Sequence, residues 1–172
     1  MRFVICDWEE DDVADFEGKR AIREYVQTND ASPEMVFPLL CPVREAEWVP
    51  GWEYRLIYSK SGLAELGCVF TTPNEDGSEA TWMTIEYEPA RRIGFVWIWP
   101  KMVAARLRFE LQPAGGKTHL HARYEYTGLS EKGNTEVERY TEEWFAGKMK
   151  RFEAALNHYL ATGKKISAGA WE

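Results

Sequence analysis

The stretch "MVAARLRFELQPAGGKTHLHARYEYTG", residues 102–128, decides the fold class of this chain. Apolar side chains take every second position from Val103 to Leu111, and polar or charged side chains fill most of the positions between them. The same alternation runs from Leu120 to Tyr126, after a "GGK" turn. A two-residue period on both sides of a glycine turn predicts an antiparallel β-hairpin with one apolar and one solvated face.

Other segments with strand signals precede this hairpin. Turn residues such as Pro, Gly and Asn separate them, so consecutive strands are expected to pair with their neighbours. The sequence therefore predicts a mainly antiparallel, curved sheet of about seven strands, with the remaining strands at 19–29, 52–59, 66–72, 81–88 and 92–99.

Two regions of the chain carry helical patterns instead. Ser32 and Pro33 favour a helix N-terminus, and the later prolines Pro38 and Pro42 limit this region to two short helices. From position 136 to 161 apolar residues recur at helical spacing, which predicts one long amphipathic helix after a loop at 133 and before a stop at 163. An apolar sheet face and an apolar helix face must pack together, so the predicted class is α+β.

Composition and charge limit the classes of function. The chain has 172 residues, enough for one domain, and a net charge of -7, which disfavours nucleic acid as a partner. Its three cysteines are widely spaced and form no CxxC pair, so we expect a reducing, cytoplasmic location without a disulfide framework or a metal site. No cofactor motif and no apolar run long enough for a membrane span is present in the sequence.

The chain divides into three parts. Residues 1–18 are rich in acids and are interpreted as an N-terminal extension, residues 19–163 as the folded domain, and residues 164–172 as a C-terminal tail.

Four stretches, in order, carry a resemblance to a known family. They are "VQTNDASPEMVFPLL" (26–40), "EWVPGW" (47–52), "MTIEYEPARRIGFVW" (83–97) and "EWFAGKMKRFEAALNHYL" (143–160). Together they resemble the START / Bet v-like superfamily, also called SRPBCC or helix-grip, and within it the polyketide cyclase/dehydrase-like or Hsp90-activator-homologue-like branch. The resemblance implies a seven-stranded sheet that wraps around a long C-terminal helix, with a cavity between them that holds an apolar or aromatic small molecule.

The side chains expected to contact such a ligand are large and mostly aromatic. For Trp48 and Trp52, which flank a Pro-Gly turn, two interpretations stay open: they form the rim of the pocket, or they pack in the core. The hydroxyls of Tyr54, Tyr124 and Tyr126 fall on apolar faces and are suited to orienting a ligand. The predicted ligand-binding residues are Trp48, Trp52, Tyr54, Cys68, Phe70, Trp82, Trp97, Trp99, Leu107, Phe109, Tyr124, Trp144, Phe145 and Met149.

Glu86 is the one candidate catalytic residue. It shares a strand phase with Trp82 and Thr84, so one interpretation is a carboxylate that points inward, with Arg55 as its cross-strand partner. A buried acid in a cavity is suited to general acid or base chemistry, and the alternative is a structural or exposed carboxylate.

The function predicted from these features is binding of an apolar or aromatic, lipid- or polyketide-like small molecule in an internal cavity, as a carrier or sensor. The first alternative is a cyclase- or dehydratase-type enzyme that uses the same cavity. The second is a protein-interaction or co-chaperone-like module. The expected partner is a hydrophobic small molecule, and the chain is expected to be a monomer or a homodimer.

Overall fold

A computed structural model describes residues 16–167, 169 and 171. Most of the acidic extension predicted at 1–18 therefore lies outside the described residues. The chain forms a seven-stranded antiparallel sheet with strand order β1-β7-β6-β5-β4-β3-β2. The strands are β1 (Arg20–Asn29), β2 (Arg55–Tyr58), β3 (Val69–Pro73), β4 (Glu79–Glu88), β5 (Arg92–Trp99), β6 (Val103–Ala114) and β7 (Lys117–Gly128).

The hairpin that decides the fold class pairs as its sequence predicts. β6 and β7 are in register from the pair Val103–Gly128 to the pair Ala114–Lys117, across the Gly115-Gly116 turn. Their apolar positions form the buried face of the sheet, and this face packs against the C-terminal helices. The predicted α+β helix-grip architecture is confirmed.

The helical region after β1 is broken by proline, as expected. It consists of α1 (Pro33–Val36), a 3₁₀ turn (Phe37–Leu40) and α2 (Pro42–Glu45), each with a proline in its first two positions. Ser32 has the extended backbone of an N-cap residue, but its side chain makes no capping hydrogen bond.

The predicted long C-terminal helix is confirmed, but it begins later than predicted, because the chain forms two helices in this region. They are α3 (Glu131–Arg139) and α4 (Glu142–Thr162), separated at Tyr140. Each has its own N-cap: Gly133 N donates to Ser130 Oγ at 3.1 Å, and Trp144 N donates to Thr141 Oγ1 at 3.1 Å.

The predictions for the glycines at the two ends of this helix differ in outcome. Gly133 lies inside α3 rather than in a loop, whereas α4 ends where predicted, at Gly163 with φ of 65°. Within the ranges that the structure describes, the longest helices are not apolar enough to cross a bilayer.

The predicted alternation in β4 breaks at a β-bulge. Thr84 lies opposite Phe95, but Glu86 lies opposite Gly94, so Ile85 is the extra residue. A single inserted residue moves the following side chains to the other face of the sheet. The bulge therefore separates Trp82 and Thr84, on the inner face, from Glu86, on the outer face.

Candidate functional site

A cavity of about 430 Å³ lies between the inner face of the sheet and helices α3 and α4. Leu107 of β6 forms part of its base, and the rest of its wall is mainly aromatic. The rings come from β4, β5 and β7 and from the junction of the two helices: Trp82, Trp97, Trp99, Tyr124, Tyr126, Tyr140 and Trp144.

The wall is built of rings that hold one another in place. Trp82 stacks on Phe70 with 5.4 Å between ring centroids. Across the cavity, the ring centroid of Tyr140 lies 4.6 Å from that of Tyr126. The Tyr140 ring also stacks on Trp144, with 4.9 Å between the ring centroids. Since each ring contacts a neighbouring ring, the apolar wall is organised without a ligand.

Indole N–H groups tie the wall to β3 and to the turn between β3 and β4. Trp82 Nε1 donates to Thr72 Oγ1 at 2.9 Å, and Trp99 Nε1 donates to Ser78 Oγ at 3.0 Å. This turn also contributes the exposed Glu75 to the cavity lining. On the opposite side Arg139 is likewise exposed, so the mouth of the cavity lies between this turn and the end of α3.

Three tyrosines line the cavity. Burial raises the pKa of Tyr124, Tyr126 and Tyr140 above its usual value, so all three phenols stay protonated at neutral pH. The hydroxyl of Tyr126 is buried and has no hydrogen-bond partner within the described part of the chain. An unpartnered buried hydroxyl is costly, and a polar atom of a ligand would satisfy it.

A lysine from α4 also lines the cavity. Lys148 Nζ lies 5.4 Å from the ring centroid of Tyr124, 5.5 Å from that of Trp144 and 6.0 Å from that of Phe152. Burial among these rings lowers the pKa of Lys148 to about 8, against the opposing effect of the Glu45 carboxylate.

A smaller chamber of about 30 Å³ lies on the other side of Tyr124, which lines both spaces. Glu45, the last residue of α2, borders this chamber, and burial raises its pKa to about 8 although the Lys148 ammonium opposes the rise. The chamber is bordered by Gln27, Leu40, Glu45, Trp48, Phe109, Leu120, Tyr124, Met149 and Phe152. The protein thus places one partly buried acid and one partly buried base on either side of Tyr124.

Comparison with known proteins identifies the fold. No protein-family model matches the chain. No curated protein sequence matches it either. Several solved structures are similar to the chain. The Mll3558 protein from Rhizobium loti is 20% identical in sequence, with a TM-score of 0.61, and the match covers 82% of this chain and 100% of that chain. Norcoclaurine synthase from Thalictrum flavum is 13% identical, with a TM-score of 0.61, over 85% of this chain and 89% of that one.

The chain has the START / Bet v-like, helix-grip fold. DynU16, a protein of the dynemicin biosynthetic locus, is a further similar structure, with 19% identity and a TM-score of 0.54. The match with DynU16 covers 83% of this chain and 48% of the DynU16 chain. At these identities the likeness establishes the helix-grip fold, and the cavity must be interpreted from its own residues.

The predicted ligand-binding residues fall into three groups. Six line the large cavity: Trp82, Trp97, Trp99, Leu107, Tyr124 and Trp144. Trp48, Phe109 and Met149 border the small chamber, as does Tyr124 again. The other five border neither space: Trp52, Tyr54, Cys68, Phe70 and Phe145.

The two tryptophans of the Pro-Gly turn are both anchored to backbone carbonyls. Trp48 is 1% exposed and donates its Nε1–H to Leu39 O at 2.9 Å. Trp52 donates to Pro42 O at 2.8 Å and packs against the edge of the core. This arrangement fits the packing interpretation, although Trp48 also closes one side of the small chamber.

Of the two interpretations of Glu86, the structure fits the structural carboxylate and not the inward one paired with Arg55. Because of the β4 bulge, the Glu86 carboxylate lies on the outer face, 2.5 Å from Arg106 and 3.1 Å from Arg108. These arginines lower the pKa of Glu86, against the effect of desolvation, so it stays ionised. Arg55 pairs instead with Glu79, at 2.6 Å. Glu86 does not border either space in the described structure.

Lys148 and Glu45 are functional candidates that the sequence prediction missed. Lys148 is three residues after Phe145 and four before Phe152, so a charged residue interrupts the apolar face of α4. That interruption was a usable signal, because a charge on a buried helix face needs a reason. The position of Glu45 had no comparable signal, since α2 is only four residues long.

Proposed function

We propose that the protein binds an apolar or aromatic small molecule in the cavity between the sheet and the C-terminal helices, as a carrier or sensor. The observation that carries this proposal is the 430 Å³ cavity with its aromatic wall. Ligand sites in proteins are typically concave, about 300–1,000 Å³ in volume, and mainly apolar with a few polar groups.

The energetics of the cavity support an aromatic ligand. Apolar surface removed from water contributes about 25 cal/mol per Å², and a rigid aromatic ligand loses little conformational entropy on binding. The unpartnered hydroxyl of Tyr126 and the ammonium of Lys148 supply polar groups that fix its orientation.

A second candidate function is a cyclase- or dehydratase-type enzyme that uses the same cavity. Lys148 and Glu45 favour it, because both have pKa values of about 8 and exchange protons readily near neutral pH. Among the similar structures, one norcoclaurine synthase was solved with dopamine and hydroxybenzaldehyde, both small aromatic molecules. A module that acts only by binding other proteins needs no such space.

The test is a fluorescence titration with N-phenyl-1-naphthylamine, a neutral aromatic probe, combined with native mass spectrometry of the complex. We expect saturable binding of one probe molecule per chain. Leu107→Phe places a ring in the cavity and is expected to weaken binding at least about tenfold, through steric exclusion. Met83→Phe is the matched control, because Met83 lies on β4 and is 46% exposed.

Two results would contradict the proposal. One is a titration that does not saturate, together with no bound molecule in the native mass spectrum. The other is equal binding by wild type and Leu107→Phe, which would locate the probe outside the cavity.

A further inference from the structure

We propose that the cavity receives a neutral aromatic aldehyde or ketone, and that Lys148 forms an imine with its carbonyl carbon. This inference rests on the proposed binding function and adds a ligand class and a covalent step to it.

The position of Lys148 carries the argument. It lies on the core-facing side of α4, next to the fully buried Met149, and its amine lies over the faces of three aromatic rings. The side chain is partly buried and lines the large cavity. A carbonyl compound that fills the cavity therefore comes within reach of this nitrogen.

Lys148 differs from every other lysine in the chain. The eight others, at positions 19, 60, 101, 117, 132, 150, 164 and 165, are exposed. Among the described residues, no carboxylate lies within 4.0 Å of Lys148 Nζ, and no acceptor is hydrogen-bonded to it. An amine that is enclosed, unpaired and next to an open cavity is free to react with a bound molecule.

The charges around the cavity favour a neutral ligand over an anionic one. The charged groups that line the large cavity are balanced, since Glu75 and Glu136 lie against Arg139 and Lys148, and Glu45 at the small chamber keeps its proton near neutral pH. Arg139 is also engaged, since it pairs with Glu136 at 3.1 Å. The cavity therefore has no surplus positive charge to balance a carboxylate ligand, whereas a carbonyl group needs none.

The covalent step needs no further reactant. The lone pair of the Lys148 nitrogen forms a bond to the carbonyl carbon, and an N–H proton moves to the oxygen to give a carbinolamine. The C–O bond then breaks, the oxygen leaves with the second N–H proton as water, and a C=N bond remains. Only the neutral amine reacts, and desolvation by the surrounding rings increases its fraction near neutral pH.

Three ionisable groups face this amine. Glu45, from α2, stabilises the ammonium when it is ionised, and Arg151, on α4 itself, destabilises it. Tyr124, from β7, presents its ring and stays protonated. The rate of imine formation is therefore expected to rise with pH toward about 8 and then level off.

The experiment uses 6-methoxy-2-naphthaldehyde as the probe and sodium cyanoborohydride, which reduces an imine to a stable secondary amine. Peptide mapping by mass spectrometry then locates the modified lysine in the wild-type chain. We expect Lys148 to be labelled roughly tenfold faster than any exposed lysine at about pH 7.5, because its neutral fraction is larger.

Matched variants separate reactivity from charge. Lys148→Arg keeps a positive charge but cannot form a stable imine, so we expect labelling at this position to be lost while the fold, monitored by circular dichroism, is retained. Lys150→Arg is the control, because Lys150 is two residues along the same helix and exposed. We expect Lys148 to be labelled at the same rate in the Lys150→Arg variant as in wild type.

Two further probes distinguish this inference from the binding proposal. Binding of 6-methoxy-2-naphthalenemethanol, without any labelling of Lys148 by the aldehyde, would overturn the imine and leave the binding proposal intact. Tighter binding of 6-methoxy-2-naphthoate than of the alcohol, dependent on Lys148 and again without labelling, would make Lys148 a charge anchor and also overturn it. Failure of all three probes to bind would contradict both proposals.

Discussion

At the scale of single residues, Glu45 and Lys148 are shifted in opposite directions by the same cause. Burial disfavours the charged form of each group, which raises the pKa of Glu45 from 4.5 to about 8 and lowers the pKa of Lys148 from 10.5 to about 8. Their mutual attraction opposes both shifts but does not cancel them. Both groups therefore titrate in the same narrow pH range in the folded protein.

These shifts predict how the free energy of unfolding depends on pH. Between pH 4.5 and 8 the folded chain keeps a proton on Glu45 that the unfolded chain loses, so the free energy of unfolding falls as pH rises. Between pH 8 and 10.5 the lysine at position 148 is protonated in the unfolded chain but neutral in the folded chain. The free energy of unfolding therefore rises again as pH rises. We expect this pair to contribute a minimum in stability near pH 8, measured by urea unfolding at a series of pH values.

Substitutions isolate each half of that profile. Glu45→Gln is expected to remove the fall in the free energy of unfolding below pH 8 that wild type shows. Lys148→Met is expected to remove the rise above pH 8. Other titrating groups contribute equally to all three proteins, so the differences between the curves are the quantities to compare. Parallel curves for wild type and Glu45→Gln from about pH 5 to 8 would show that Glu45 ionises normally.

Two helical glycines are expected to respond oppositely to alanine. A Cβ at Gly133 would lie 1.8 Å from the backbone oxygen of Met102, so Gly133→Ala must displace α3 from the turn before β6 and cost about 1–3 kcal/mol. A Cβ at Gly147, in α4, would have Arg151 Nη1 as its nearest neighbour, at 3.9 Å, so Gly147→Ala is expected to stabilise by about 1 kcal/mol. Thermal unfolding measures both, and equal effects would contradict the close packing of α3.

At the scale of elements, local pattern predicts the strands well but not their irregularities. The alternation in β6 and β7 continues without interruption, so their buried face could be predicted residue by residue. In β4 the same method places Glu86 inward, because no residue in "TWMTIEYE" marks the bulge. The related signal lies on the partner strand, where Gly94 leaves room for Glu86: a Cβ there would lie 3.1 Å from Glu86 Cβ. Sequence order alone does not reveal such a cross-strand relation.

The division between α3 and α4 depends on a capping residue. Thr141 accepts a hydrogen bond from Trp144 N, and the preceding Tyr140 packs its ring on Trp144, so the start of α4 also shapes the cavity wall. Thr141→Ala is expected to destabilise the protein by about 1 kcal/mol and to weaken binding of N-phenyl-1-naphthylamine. The control is Thr135→Ala, an exposed position inside α3, for which a change within about 0.5 kcal/mol is expected. Equal losses in the two variants would mean that the cap is unimportant.

At the scale of the whole molecule, the fold follows from the sequence more directly than the site does. An apolar sheet face and an apolar helix must meet, whatever their exact side chains. The cavity depends instead on where the packing leaves space. Trp82 and Trp97 border that space, whereas Phe70 and Phe145, with the same apolar character, fill the core. Their positions in the strand and helix patterns do not distinguish the two outcomes, because the distinction arises from contacts between remote segments.

An open cavity in the middle of the fold links ligand binding to global stability. A ligand that binds only the folded chain, at about 100 times its dissociation constant, stabilises it by about 2.7 kcal/mol. For a chain of this length, each kcal/mol raises Tm by about 2–4 °C, so N-phenyl-1-naphthylamine is expected to raise Tm by about 5–11 °C. At the same probe concentration the shift should be much smaller in Leu107→Phe and unchanged in Met83→Phe. An identical shift in all three proteins would mean that the probe stabilises the fold from a surface site, and the space between sheet and helices would then have no demonstrated ligand.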